Sequence, residues 1–468
     1  MNPDLPDAIR LERLLPEQLL RVPDDDAGTA ITVALSGGLD SSVLLHRLAA
    51  LPTIRARGLR ALHVHHGLHP DADAWAAHCS ATCAALGVPL AVQRVAVARD
   101  SGLGLEGAAR AARHAAFARA LGKDEVLALA HHQDDQAETF LLRALRASGP
   151  DGLAAMRPWR RFAAGWMWRP LLLLPRTRLE AWARARNLAW IEDPANADPM
   201  HDRTFLRRTV LPLLRQRWPG ADTALARSAA LCAEAADLLA VHDAAALDGL
   251  MARASDGDGG DALPADRDRT GDRTRGRRTL PIGPLEALPP AQRARLLRAW
   301  AAGLGLPPLP ASAIPGIEAL LSARGDGAAA YRWSNACVRA WRGRLHAMPL
   351  QALAPLEPGW ARPWDGRAPL PLPGGGSLAL EGADAFGQPL HAHARRGGER
   401  IHLPGRTHSH ALKQVLQDAG IAPWQRARMP LLSDAAGRLL AAGDRILDAS
   451  LYAWLQARGA RLRWRDLA

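Results

Sequence analysis

The chain is poor in lysine, in cysteine and in long apolar runs, and each shortage removes a class of protein from consideration. Four cysteines, Cys79, Cys83, Cys232 and Cys337, are too few and too scattered over 468 residues for a disulfide framework. No CxxC pair offers a zinc or iron–sulfur site, so the thiols read as buried side chains. No stretch approaches the roughly 18 apolar residues of a bilayer-spanning helix, and "WRPLLLLP" is far too short. The opening "MNPDLPDAIRLERLL" carries acids and no apolar core behind a basic segment; it does not read as a signal peptide, and a cytoplasmic protein without a membrane partner is expected. Only Lys123 and Lys413 are lysines, so the net charge of +12 rests almost wholly on arginine. Such a charge favours an anionic partner such as nucleic acid, and the planar guanidinium suits bidentate phosphate contacts. Many basic proteins bind no polyanion, however, and an arginine bias can also come from genome composition.

What is present points to several domains, two to three for a chain of this length. From Ile31 to Asp193 the short β-rich runs "ITVAL", "LRALHVHH", "LAVQRVAV", "EVLALAHH" and "LAWIED" alternate with longer helical patterns. That alternation predicts an α/β fold with a parallel sheet covered by helices on both faces. Ligands of such sheets sit at the carboxyl ends of the strands, where "SGGLDSS", "HHGLH" and "HHQDDQAET" fall. Three polar groups are therefore expected to converge on one cleft. The α/β catalytic domain is assigned to residues 1–216. A mostly helical middle domain follows over 217–350, interrupted at 252–279 by a Gly/Asp/Arg-rich insertion that has almost nothing to bury and reads as disordered. Within it "AAAYRWSNACVRAWRGRLHAM" reads as a hairpin. Residues 351–384 read as a linker and residues 385–468 as a small α+β domain.

The stretch "SGGLDSS" is neither a Walker A loop, which needs GxxxxGK[ST], nor the dinucleotide fingerprint GxGxxG. Gly37 and Gly38 let the backbone turn and approach a ligand closely, Ser41 or Ser42 can cap the following helix, and a helix N-terminus favours negative charge. The arrangement suits a pyrophosphate. Asp40 inside an anion cradle makes sense if Mg²⁺ bridges it to phosphates. A plain Gly-rich turn would explain the glycines and leave the aspartate and serines unexplained.

"SGGLDSS" resembles the SGGxDS signature of the PP-loop ATP pyrophosphatases, which cleave ATP between the α and β phosphates. The further motifs "HVHHGLH", "EGAARAARHAAF", "LALAHHQDDQAETFLLRALRASG", "RPLL", "IEDPANADPMHDRTFLRRTVLPLL" and "RRGGERIHLPGRTHSHALKQVLQDAGIAPWQRARMPLL" resemble, in the same order, those of the tRNA(Ile)-lysidine synthases. That resemblance implies ATP as co-substrate with Mg²⁺, and ligation of free L-lysine to C2 of the wobble cytidine of a tRNA(Ile) with a CAU anticodon, through an adenylated cytidine. It implies a nucleotide site at Ser36, Gly37, Gly38, Leu39, Asp40 and Ser41. Catalytic roles would fall to Asp40, His132, Asp134, Asp135 and Arg203, with Asp40 the candidate Mg²⁺ ligand. Substrate contacts would fall to Arg110, Arg113, Glu138, Arg207, Arg396 and Arg426. Thr204 stands where the family pattern RNxxR has Asn, and "DPAN" where DPSN is common.

The chemistry fits these residue types. Adenylating the C2 oxygen makes it a better leaving group and the carbon a better electrophile. Lysine must then attack through a neutral ε-amine whose ordinary pKa is about 10.4, so a carboxylate is useful as base or orienting partner. Asp134, Asp135 and Glu138 are candidates, Asp135 and Glu138 on one helical face; the plainer reading is that they complement the helix dipole. "HHQDD" could also suggest a metal site, but no further His or Asp is clearly placed to complete a ligand set. His63 and His65 read as strand packing or cleft lining, leaving His66 as the histidine to test. Arg110 and Arg113 share a helical face that could simply be solvated. Arg395, Arg396, Arg400, Lys413, Arg426 and Arg428 would give the last domain a basic surface around Trp424, suited to a tRNA body. Rival readings are a tRNA thiolase, disfavoured by the missing CxxC; an amide-forming enzyme, for which no segment presents a catalytic cysteine; and a basic RNA-binding protein with a degenerate loop. The oligomeric state stays open, a homodimer included.

Overall fold

A computed structural model of the chain describes residues 29–98, 100, 102, 104–192, 202–256, 278–322 and 326–466. It forms two compact units, Met1–Leu238 and Leu239–Ala468.

The first unit is built on a six-stranded sheet. Its strands are β1 (Ile31–Ala34), β2 (Leu59–His65), β3 (Leu90–Arg94), β4 (Val126–Ala128), β5 (Trp159–Phe162) and β6 (Gly165–Trp168), in the order β3-β2-β1-β4-β6-β5. β1 pairs in parallel with β2, Ile31 opposite Leu59, and with β4, Ile31 opposite Val126. Ile31 and Val33 are buried, as expected of a central strand covered on both faces. Helices α1 (Leu39–Ala49), α2 (Ala72–Leu86), α3 (Gly104–Ala120) and α4 (Gln133–Ala144) follow β1 to β4 in turn. The chain steps from β1 outward to β3 and then returns to place β4 on the other side of β1. The loops after β1 and β4 thus lie side by side where the strand order reverses, which is where open α/β sheets bind ligands.

Two expectations are corrected. The fifth parallel strand is Gly165–Trp168 and not "LAWIED", and the sheet ends in an antiparallel edge, with β5 pairing to β6. The residues Leu188–Glu192 have no ladder partner; Ile191 instead gives its amide to the Gly37 carbonyl at 2.9 Å. α5 (Arg176–Arg184) precedes them. From Asp202 the chain is helical to Arg217, widening into a π-helical turn at Leu206–Val210.

α6 (Ala221–Asp256) is one continuous helix, and the division into two units falls within it. It includes the first residues of the expected insertion 252–279; residues 257–277 of that insertion lie outside the described residues. In the second unit β7 (Thr279–Pro281), β8 (Asp326–Trp333), β9 (Ala336–Trp341) and β10 (Arg344–Pro349) make an antiparallel sheet in the order β7-β10-β9-β8. The expected hairpin thus carries a third strand, because the Arg342–Gly343 turn sends the chain back once more. Leu280, Leu296, Trp300, Ile317 and Leu345 form the core that joins this sheet to the helix Pro290–Gly303 (α7).

Residues 351–384 are not a linker. β11 (Ala361–Trp364) pairs with β14 (Leu390–His393), and β12 (Leu370–Pro371) and β13 (Ser377–Glu381) build a sheet completed by the strand Arg461–Arg465. Pro and Gly there mark tight turns between short strands: Gly376 (φ +90°) would put a Cβ 2.4 Å from the Arg465 carbonyl oxygen. One core containing Trp364, Leu378, Leu412, Leu431 and Trp464 unites the whole of this region.

Candidate functional site

The loop after β1 explains its own composition. Gly37 sits at φ +87°, and a Cβ there would meet Ile191 Cδ1 at 2.5 Å, so both conformation and space demand glycine. Gly38 is the N-cap of α1 and has no side-chain capping bond, so neither Ser41 nor Ser42 caps the helix as expected. The hydroxyls fold back and hold the loop: Ser41 Oγ donates to the Gly38 carbonyl at 3.1 Å and accepts the Ser36 amide at 3.2 Å, while Ser42 Oγ donates to the Gly37 carbonyl at 3.3 Å. The first-turn amides of α1 precede any intrahelical bond and face the helix N-terminus, a ready anion site. The Leu39 side chain is in the core, which leaves its backbone on the loop side. Beneath the loop, buried His63 donates from Nδ1 to the Leu35 carbonyl at 2.9 Å, a packing role.

Asp40 projects from the first turn of α1. Burial raises its pKa, against the pull of His132 and Arg176. Its Oδ1 is buried without a hydrogen-bond partner, 3.7 Å from Arg176 Nε, and its Oδ2 lies 3.7 Å from His132 Nε2. A partly buried carboxylate oxygen with no donor is suited to a cation. Among the described residues no group of three or more His, Cys, Asp or Glu side chains could hold a metal ion. Mg²⁺ at Asp40 would therefore need most of its oxygens from nucleotide phosphates and water, which is its common habit.

The loop after β4 delivers the second half. His132 is the N-cap of α4, and Asp135 completes a capping box by accepting the His132 amide at 3.1 Å. Burial pushes the Asp135 carboxyl up, but His132, His131, the His132 amide and Arg207 outweigh it and hold the group below its ordinary value. Asp134 accepts the Arg176 amide and an Arg215 Nη2 hydrogen, each at 3.0 Å, and so ties α4 to α5 and to the helix ending at Arg217. Glu138, one turn on from Asp134, is 0% exposed. Both its oxygens are taken by Arg207, at 2.6 and 3.1 Å, and Arg207 also reaches Asp135 Oδ1 at 3.3 Å. Burial raises the pKa of Glu138 in spite of Arg207.

The other side of the cleft is cationic. Arg203 donates to Thr139 Oγ1 at 2.9 Å. Arg110 and Arg113, on α3, are exposed by area, yet the protein around them lowers the pKa of both, as does Arg203. Burial, and after it Arg113, lower the pKa of His66, and its buried Nδ1 has no hydrogen-bond partner.

The sequence reading assigns no role to Arg176, Arg215 or His131, and it holds Arg169 only as the first residue of "RPLL". Arg176 and Arg215 carried no local signal, since each meets its carboxylate only through the fold. His131 was half of a quoted histidine pair, and that doubling was the available hint. Arg396 and Arg426 lie in the second unit. Arg396 is exposed, with its amide bonded to Glu399; Arg426 is half-buried, its Nε donating to the Ile421 carbonyl. The basic surface around Trp424 is corrected in part. Trp424 is 5% exposed and packs against Trp341 and His346, and Arg428, 3% exposed, is paired with Asp466 at 3.0 Å.

Comparison with known proteins adds three sequence-family matches: a PP-loop domain over residues 11–214, a TilS substrate binding domain over 280–346 and a TilS substrate C-terminal domain over 390–464. The chain is 53% identical over 441 residues to a tRNA(Ile)-lysidine synthase of Xanthomonas campestris, covering 94% of this chain and 95% of that one. It is 53% identical over 450 residues to that of Xylella fastidiosa, covering 95% and 96%, and 43% identical over 435 residues to that of Pseudomonas aeruginosa, covering 92% of each.

Proposed function

The chain belongs to the tRNA(Ile)-lysidine synthase family, and on that premise we propose how its cleft makes lysidine in tRNA(Ile). ATP is the co-substrate and tRNA the partner. No helix among the described residues is long and apolar enough to cross a membrane, and we place the reaction in the cytoplasm. The finer steps are our reading. The C2 oxygen of the cytidine in a CAU anticodon attacks the α phosphorus of ATP; the bond to the β phosphate breaks and pyrophosphate leaves into the Ser36–Ser41 loop. The ε-amine of free lysine then bonds to C2, the C2–O bond breaks, and AMP departs with that oxygen while the amine gives up its proton.

Each residue has a role that its surroundings support. The backbone of Gly37, Gly38 and Leu39 with the α1 N-terminus cradles the pyrophosphate. Mg²⁺, when bound at Asp40, would supply charge neutralisation for the leaving phosphates. Asp135, held ionised beside His132, is placed to orient the lysine amine and accept its proton. Glu138, with both oxygens on Arg207, fixes that guanidinium instead of meeting substrate. Arg110, Arg113 and Arg203 face the anionic nucleotide and tRNA phosphates. In the second unit Arg396 and Arg426 are assigned to the tRNA body, and a homodimer is one assembly this reading allows, distinguishable from a monomer by sedimentation of the tRNA complex.

The observation that carries the reading is the buried, unpartnered Asp40 oxygen at the mouth of the glycine loop, which calls for a cation shared with an anion. The test is incorporation of labelled lysine into a CAU-anticodon tRNA(Ile) transcript with and without ATP, for wild type and Asp40→Ala. ATP-dependent labelling lost in Asp40→Ala is expected. Cleavage of ATP to AMP without lysine entering the RNA would keep the loop chemistry and overturn the acceptor.

A further inference from the structure

Arg169 is an arginine the reaction scheme leaves unused. It follows directly on β6, is 7% exposed, and no carboxylate among the described residues pairs with it. Its guanidinium is nevertheless fully directed: Nη1 donates to the Arg157 carbonyl at 2.7 Å, Nη2 points at Met167 Sδ at 3.0 Å, and Nε donates to His131 Nδ1 at 3.2 Å. A buried cation without a counter-ion is costly. Folds retain such a group where its charge or its hydrogen bond acts on something else.

We propose that Arg169 is a positioning residue for the adenylation step: through its Nε–H it fixes His131 in the neutral tautomer with hydrogen on Nε2, so that the ring serves the cleft as a hydrogen-bond donor. An arginine cannot accept, so Nδ1 of His131 must be the lone-pair side of this contact and the ring proton must sit on Nε2. The opposite tautomer would set a hydrogen on Nδ1 against the Arg169 Nε–H and break this contact. The charged groups around the ring sharpen the argument. Burial is the largest influence and pushes His131 down to about 3; Asp135, on α4, pulls it up, while Arg169, Arg203 on the Asp202–Phe205 turn and Arg110 on α3 push it further down. His131 thus stays neutral beside a carboxylate, and Arg169 is the cation in direct contact with it. The proposal rests on the reading of this cleft as the nucleotide site.

The test is the tautomer of His131, read from long-range ¹H–¹⁵N spectra of the ¹⁵N-histidine-labelled full chain, with His131→Gln supplying the assignment. Wild type is expected to show hydrogen on Nε2 alone and no second protonation down to about pH 5. Arg169→Met should give a tautomer mixture that gains a proton as pH falls toward about 5, and Arg169→Lys, which keeps charge and donor, should restore the single tautomer. In ATP-dependent pyrophosphate release with tRNA, Arg169→Met should lower kcat by roughly 10- to 100-fold with KM for ATP little changed, and should add an acid limb to the pH profile. In a His131→Gln background the same substitution should cost little more. Hydrogen on Nδ1 in the wild type, or a rate loss that is additive in the His131→Gln background with an unchanged pH profile, overturns the proposal. Should Arg169→Met fail to fold, the wild-type and Arg169→Lys spectra still decide. If the wild type releases no pyrophosphate, the reading of the cleft fails, whereas the spectra report on the contact separately.

Discussion

The two walls of the cleft in the first unit treat charge in opposite ways. On the wall built by α4 each of three carboxylates has a named cation or amide: Asp134 has Arg215 and the Arg176 amide, Asp135 has Arg207 and the His132 amide, and Glu138 has Nε and Nη2 of Arg207. Asp40, on the first turn of α1 beside it, keeps a buried oxygen without a hydrogen-bond donor. On the wall built by α3 and the β6 end, Arg110, Arg113 and Arg169 crowd together; burial first and neighbouring arginines second lower their pKa values, Glu106 offsets this in part at Arg110 and Arg113, and burial with the same arginines takes His114 down to about 4. A wall whose carboxylates are paired holds geometry. The exposed arginines of a wall with more cations than carboxylates suit an anion, which is what a triphosphate or an RNA backbone brings.

Substitutions can break this contrast. The largest effect is expected from Asp40→Asn, which removes that carboxylate. Several kcal/mol of charge stabilisation would be lost, roughly a 10²- to 10³-fold fall in ATP-dependent pyrophosphate release. Retained thermal stability alongside that loss would mark the role as chemical; a parallel loss of Tm would not.

Next comes Arg207→Met, which strands Glu138. Because Arg207 is itself 43% exposed, about 2 to 4 kcal/mol of stability should go, toward the low end for a buried pair. Its pH signature has a definite sign. Glu138 has a folded pKa raised above the ordinary 4.5, so its contribution is fully present below that value and is lost as pH rises through the raised one. Removing Arg207 raises it further, and the Tm of the variant should fall more steeply than wild type above about pH 4.5. Asp135 runs the other way: its folded pKa lies below 3.8, so its contribution holds above that value and is lost as pH falls through the lowered one. Parallel melting curves across pH in the two proteins would contradict the buried pairing.

Gly37→Ala should cost about 1 to 3 kcal/mol, since it combines φ +87° with a 2.5 Å clash against Ile191, and denaturant midpoints measure it directly. The smallest effect is expected in the second unit. Arg396→Ala, at an exposed site, should weaken tRNA binding modestly and lower the slope of log affinity against log salt by about 1, leaving pyrophosphate release at saturating tRNA unchanged. A loss confined to one tRNA sequence would instead indicate base readout.

Legibility followed the range of the cause. "SGGLDSS" was readable because a strand, a glycine turn and a helix start are set by neighbours a few residues apart. "HHQDDQAET" was readable as a helix start for the same reason, and the sheet topology explains why the two loops share a site. Arg207 and Glu138 both stand out in the sequence, but nothing local says that they pair across 69 residues. Ile191 read as a strand because its segment is apolar and β-branched; with no ladder partner available it packs on Gly37 instead. Residues 351–384 read as a linker because Pro and Gly in short repeats look the same in a tether as in tight turns between two- to five-residue strands.

The sequence by itself determined the α/β alternation, the anion loop with its aspartate, the cationic character of the chain and the family its motifs resemble. All of these rest on composition and short-range periodicity. Only the tertiary structure decided which arginines are spent on carboxylates, which oxygen of Asp40 has no hydrogen-bond donor, and that Arg169 ends against His131. Those outcomes depend on packing between segments tens of residues apart, where a difference of an ångström separates an ion pair from an open site.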